Sequence, residues 1–126
     1  MSNLVVSNIS DGTDTVETSY VVNGSAKAWV NFDGQSTATI RDSLNMSSIA
    51  DNGTGDYTLT YSNSLTGVFT NIIACSQSGR SVTERSMAYD TATASSFIMG
   101  TYRDTGSQQV TNDNSLNYAA VFGDLA

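Results

Sequence analysis

Residues 26–41 read Ala26-Lys27-Ala28-Trp29-Val30-Asn31-Phe32-Asp33-Gly34-Gln35-Ser36-Thr37-Ala38-Thr39-Ile40-Arg41. Ala28, Val30 and Phe32 alternate with Lys27, Trp29 and Asn31. That period of two puts successive side chains on opposite faces of a strand. After Asp33-Gly34 the alternation resumes, with Ala38 and Ile40 set against Thr37 and Thr39. Asp-Gly between two such runs predicts a tight hairpin, because both central residues of a type I′ turn need positive φ.

Outward from this stretch the same signals recur. Residues 56–62 set Tyr57, Leu59 and Tyr61 against Thr58 and Thr60. Residues 67–75 and 81–89 flank Ser78-Gly79 and predict a second hairpin. Residues 95–102 and 117–122 supply late strands, and residues 4–9 and 15–22 two early ones. The chain has no proline, so its breaks fall on Gly, Asn, Asp and Ser clusters such as Asp51-Asn52-Gly53 and Asn112-Asp113-Asn114. Short strands at such spacing predict an all-β fold, a small antiparallel β-sandwich or jelly-roll-like module of eight to ten strands, with helix limited to about a turn. The predicted core is Ala28, Val30, Phe32, Ala38, Ile40, Leu59, Ile73, Ile98 and Val121.

Composition removes several function classes. The 126 residues contain no histidine and one cysteine, Cys75. A Ser-His-Asp triad, a His-ligated metal site, a thiolate cluster and an internal disulfide are therefore impossible. A buried thiol acting as a small hydrophobe is the reading of Cys75. The net charge of −7 with five cations argues against nucleic acid and against anionic membranes. The longest purely apolar runs are far too short for a membrane-spanning helix, and no basic, apolar leader follows Met1, which predicts assembly in a cytoplasm. Ser, Thr and Asn number 19, 16 and 11, so the surface is mostly uncharged and polar.

The stretch from Gly24-Ser25-Ala26-Lys27-Ala28-Trp29 through Val30-Asn31-Phe32-Asp33-Gly34 resembles one common in tail-fibre and fibre-like virion proteins of bacteriophages, notably marine ones. The continuation Ile40-Arg41-Asp42-Ser43-Leu44-Asn45-Met46-Ser47-Ser48-Ile49, then Asp51-Asn52-Gly53-Thr54-Gly55-Asp56-Tyr57-Thr58, is similar, as is the ending Ala120-Val121-Phe122-Gly123-Asp124. The likeness covers residues 24–61 and the last few. It implies a β-rich, usually trimeric module at the distal end of a fibre, working in the virion, with no catalytic residues and no cofactor. On that reading residues 1–23 are an N-terminal attachment segment and residues 24–126 the β-sandwich module. Fibres usually carry a long N-terminal shaft, which residues 1–23 do not supply, so a free-standing small virion protein stands beside the fibre tip.

The expected function is non-enzymatic host attachment through a homotrimer that contacts other tail or capsid proteins and a host cell-surface glycan. A capsid decoration or tail-attachment protein that stabilises the particle is the second reading, and a polysaccharide depolymerase the third. Binding is expected on the loops at residues 76–80 and 102–108. There Arg80 and Arg103 supply charge and Tyr102 an apolar face for stacking. Pairing of these arginines with Glu84, Asp90 or Asp104 is the simpler alternative. Trp29, on the polar face of its strand, is expected to be covered by packing rather than by a sugar. The 51–56 loop lacks oxygen-bearing side chains at its third and fifth positions, Gly53 and Gly55, so it reads as a hairpin turn and not a calcium loop.

Overall fold

The computed structural model describes residues 2–67, 71–77 and 85–126, and the side chains of all of these except 71–77, 85–87 and 89. Among them are eleven strands and one short helix: β1 (Asn8–Ser10), β2 (Thr15–Glu17), α1 (Thr18–Gly24), β3 (Ala28–Asp33), β4 (Thr39–Leu44), β5 (Met46–Gly53), β6 (Asp56–Tyr61), β7 (Asn71–Gln77), β8 (Arg85–Ala92), β9 (Ser96–Asp104), β10 (Gln109–Thr111) and β11 (Leu116–Phe122). The described pairings are all antiparallel. The fold is all-β, as the alternation in residues 26–41 and 56–62 predicts.

Two sheets form the body. One has the order β4-β3-β11-β7. In the other, β5 pairs with β6 and β6 with β9. The nine-residue β9 takes β8 along one whole edge, so β6 and β10 share the other, at Ser96–Gly100 and Tyr102–Asp104. The core lies between the sheets. Ala28, Val30 and Phe32 of β3, with Ala119 and Val121 of β11, meet Tyr57, Leu59 and Tyr61 of β6 and Phe97 and Met99 of β9. Phe32 presents its ring to Tyr57 edge-on at 5.1 Å, an arrangement that suits the ring quadrupoles.

Several sequence expectations are corrected. Asp33-Gly34 is not a two-residue type I′ turn. Asp33 pairs with Thr39, so the loop spans residues 34–38, and its positive φ falls on Ser36, at 62°. Gly34 is needed for a different reason. A β-carbon there would lie 2.3 Å from Tyr57 Oη and 3.1 Å from the Asn114 carbonyl oxygen. Ile98 does not join the core; it is half-buried on the outer face, and Phe97 and Met99 point inward. The reason is register. Phe97 pairs with Leu59 and Met99 with Tyr57, and paired residues share a face. Ala38 and Ile40 are half-buried at the core's margin, while the side chain of Ile73 lies outside the described residues. So does Ser78-Gly79, and the strands around it, β7 and β8, join different sheets instead of pairing as a hairpin.

β5 goes unforeseen in the sequence because it is an edge strand with no clean alternation: only Met46 and Ile49 are half-buried. A bulge between Asn31 and Phe32 leaves Arg41 as an extra residue in β4. Its guanidinium pairs with Asp33 at 2.6 Å and reaches the Ser115 carbonyl.

The run at 15–22 does not continue as a strand. β2 ends at Glu17, opposite Asn8 where β1 begins, and the last links from this hairpin are Thr18 N–H to the Ser7 carbonyl and the Thr18 hydroxyl to the Val6 and Ser7 carbonyls. Beyond Thr18 no partner strand is present among the described residues. The main chain then satisfies itself as a seven-residue helix with no side-chain N-cap bond. No residue between 2 and 25 is buried. Leu4, Val5, Tyr20 and Val22 are 85%, 91%, 71% and 58% exposed, and Val6, Ile9, Val16 and Val21 are exposed as well. The segment is ordered by local polar bonds. Asp11 accepts the N–H groups of Asp14 and Thr13, which holds its carboxyl below the usual carboxylate range.

Candidate functional site

The period of two in β9 decides which of the expected binding residues stand together. Tyr102 shares the outer face of the sheet with Ile98 and Gly100, whereas Arg103, exposed, is its neighbour along the strand and projects to the opposite side. The two were expected to act on one ligand, and the pleat separates them. Arg80 lies outside the described residues. Part of the expected loop, Tyr102–Asp104, is strand; the turn that follows is closed on itself, with Thr105 N–H and hydroxyl donating to the Gln108 carbonyl and Gly106 N–H to Asp104 Oδ1.

Tyr102 instead belongs to a groove of about 370 Å³ on the outer face, lined also by Gly55, Asp56, Ala88, Asp90, Ile98, Gly100 and Thr111. Gly100 is its centre, because it pairs with Asp56 of β6 on one side and Ala88 of β8 on the other. The ring of Tyr102 lies across it. A β-carbon at Gly100 would come within 2.6 Å of Tyr102 Oη and 2.9 Å of Cε2 and Cζ. Asp56 and Asp90 are exposed at the groove, and among the described residues no basic one lines it. Asn52 Nδ2 donates to both Asp56 Oδ1, at 3.2 Å, and Thr58 Oγ1, which orients the Asp56 carboxylate.

The wall at Gly55 is held from within by a polar network. Gly55 N–H donates to Asp113 Oδ1 at 2.6 Å, and the Tyr57 hydroxyl lies 2.7 Å from the same oxygen and 3.0 Å from the Gly34 carbonyl. Thr101 N–H donates to the Gly55 carbonyl, and the buried Thr101 hydroxyl donates to the Asn112 carbonyl. Asn117 Nδ2 then holds the Asn114 carbonyl at 2.7 Å. The Asn112-Asp113-Asn114 cluster, which reads in the sequence only as a break, thus locks the β6 turn to β9 and to the start of β11.

Comparison with protein-family models, with curated proteins and with solved structures found no match.

From the sequence, residues 95–102 read as a strand, but with Ile98 in the core and Tyr102 on a loop; the structure puts both on the outer face of β9 with Gly100. Asp56 and Asp90 were not assignable to it, because they arrive through long-range strand pairing. Trp29 is half-buried on the outer face of the other sheet, where Leu44 and Ala120 pair with it. Leu44 and Tyr118 of that sheet are 48% and 40% exposed. Among the described residues, no group of three or more Asp, Glu or Cys stands close enough to hold a metal ion.

Burial, and after it the Asp113 carboxylate, pushes the Tyr57 phenol well above its ordinary value of 10.0. The neutral phenol is favoured in the folded state, so its stabilising contribution is complete below about pH 10 and is lost as pH rises beyond it. The urea midpoint of the wild type is expected to fall above pH 10. Tyr57→Phe should be less stable by about 1–2 kcal/mol at pH 7, where the hydrogen bond is lost, and should decline less steeply above pH 10. Parallel alkaline profiles for the two proteins would remove Tyr57 from this account.

Proposed function

We propose that the chain is a non-enzymatic bacteriophage virion module, assembled as a homotrimer, that forms part of a tail fibre or fibre tip and binds the host surface. The observation that carries this reading is the division of the chain. Residues 28–61, which hold most of the fibre-like motif, supply the two hairpins β3–β4 and β5–β6 and half of the core. Residues 2–25 bury nothing, yet display eight large apolar side chains. Apolar surface of that extent favours cover by another chain. The partly exposed strip of Trp29, Leu44 and Tyr118 offers a further face for neighbouring copies. The mechanism is recognition by polar and aromatic groups on a rigid sandwich, multiplied by the copies in the assembly.

The test has two parts. Deleting residues 2–25 is expected to leave the folded body within about 1 kcal/mol of the full chain's stability, since no core contact is removed. It should abolish the trimeric mass seen by light scattering at micromolar concentration. Particles from the lysate in which the protein is made should carry it on the tail, seen by antibody labelling in electron microscopy. A monomeric full-length chain sinks the trimer. Label on the capsid face would favour the decoration reading.

A further inference from the structure

We infer that the groove at Gly100 binds a neutral, hydroxyl-rich glycan, and that it discriminates against acidic ones. The inference deepens the host-surface reading and rests on it for its biological setting, but the chemistry is read from the groove itself.

Three features converge. Tyr102 supplies a flat apolar surface, and its position is set by the strand beneath it, because Gly100 has no side chain to lift the ring. The C–H face of a pyranose is the matching surface, and such aromatic contact adds to the area buried. Ile98 extends the apolar floor from the same strand face. Around it stand Asp56 and Asp90, which as carboxylates can only accept hydrogen bonds. Sugar hydroxyls are donors that carboxylates accept, and charge-assisted bonds of this type are the stronger ones. A volume of about 370 Å³ lies within the range of small-molecule sites, at its lower end.

The same residues set the selectivity. Asp56 and Asp90 are the charged residues among the described lining, and they make the groove negative, in a chain of net charge −7. A uronate, sialate or sulfated sugar placed on Tyr102 would meet like charge at close range. The sequence had set Arg103 beside Tyr102 as the source of charge, which would favour acidic glycans. The pleat turns Arg103 away and strand pairing brings Asp56 in, so the expected ligand charge is reversed.

The experiment is an NMR titration of the full-length protein. The probes are neutral oligosaccharides (oligomers of glucose, galactose, mannose and N-acetylglucosamine) and acidic ones (alginate and hyaluronan fragments and sialyllactose). At least one neutral oligosaccharide should shift the amides of Ile98, Gly100, Tyr102 and Thr111, and acidic ones should bind at least ten-fold more weakly. Tyr102→Ala should reduce affinity ten-fold or more, Tyr102→Phe should restore most of it, and Asp90→Asn should reduce it several-fold. Gly100→Ala tests position apart from chemistry: the added methyl displaces the ring, so affinity should fall while Tyr102 is still present. Because Tyr102 and Asp90 are outside the core, their variants should keep the wild-type urea midpoint. The inference is overturned if no neutral oligosaccharide shifts these amides, if acidic fragments bind as well as neutral ones, or if Tyr102→Ala binds like wild type. Virion location without glycan binding would leave the host-surface reading standing and remove the groove; glycan binding here by a protein absent from particles would do the reverse.

Discussion

Gly55→Ala is expected to lower stability by about 2–5 kcal/mol, read as a fall in the urea midpoint with an unchanged slope. Two costs add. Gly55 has φ +68°, a left-handed conformation that costs a residue with a β-carbon about 1–2 kcal/mol. The new methyl would also lie 2.4 Å from the Thr101 carbonyl oxygen and 2.8 Å from Asn112 N. Those are backbone atoms, held by the mutual Thr101–Asn112 hydrogen bonds, so they cannot swing aside as a side-chain tip would. Overpacking of this kind typically costs about 1–3 kcal/mol more. Gly106→Ala is the control. Gly106 has φ +84° but nothing within 4 Å of the added carbon, so only the conformational cost should appear. Equal losses for the two variants would show that the close approach of Gly55 to β9 is without weight.

Phe32→Ala should cost about 3–5 kcal/mol, a large part of the roughly 5–15 kcal/mol available to a domain. Phe32 is 0% exposed, sits on the inner face of β3, and meets Tyr57 of the opposite sheet edge-on. Removing the ring leaves a cavity between two sheets whose main chains are tied in ladders and cannot collapse into it. Ile98→Ala is the comparison. It lies one residue out of phase with the core, half-buried on the outer face, and should cost less than about 1.5 kcal/mol. Equal costs at 32 and 98 would contradict the register of β9.

The alternation of Ala28, Val30 and Phe32, and of Tyr57, Leu59 and Tyr61, was enough to assign strands and their inner faces. Period and turn residues are local properties, carried by a few consecutive side chains. In β9 the strand was visible, but which of its side chains face inward was not. Phe97-Ile98-Met99 is apolar throughout, so only the pairing of Phe97 with Leu59 decides which two face inward. The same limit applied to residues 15–22, where a strand pattern lacks a partner beyond Thr18 and becomes a helix. It applied again at Gly34, legible as a turn glycine but required by the hydroxyl of Tyr57, 23 residues away in the chain.

The all-β class, most strand positions, the inner faces of β3 and β6, and the chemistry excluded by the lack of histidine and the single cysteine could all be read from the order of residues. That Tyr102 stands with Asp56 and Asp90 instead of Arg103, and that Asn112, Asp113 and Asn114 lock the β6 turn, follows from strand pairing. The physical reason is the range of the interactions. Side-chain alternation is written within a strand, whereas the members of a groove or a polar network are chosen by which strands pair and in what register.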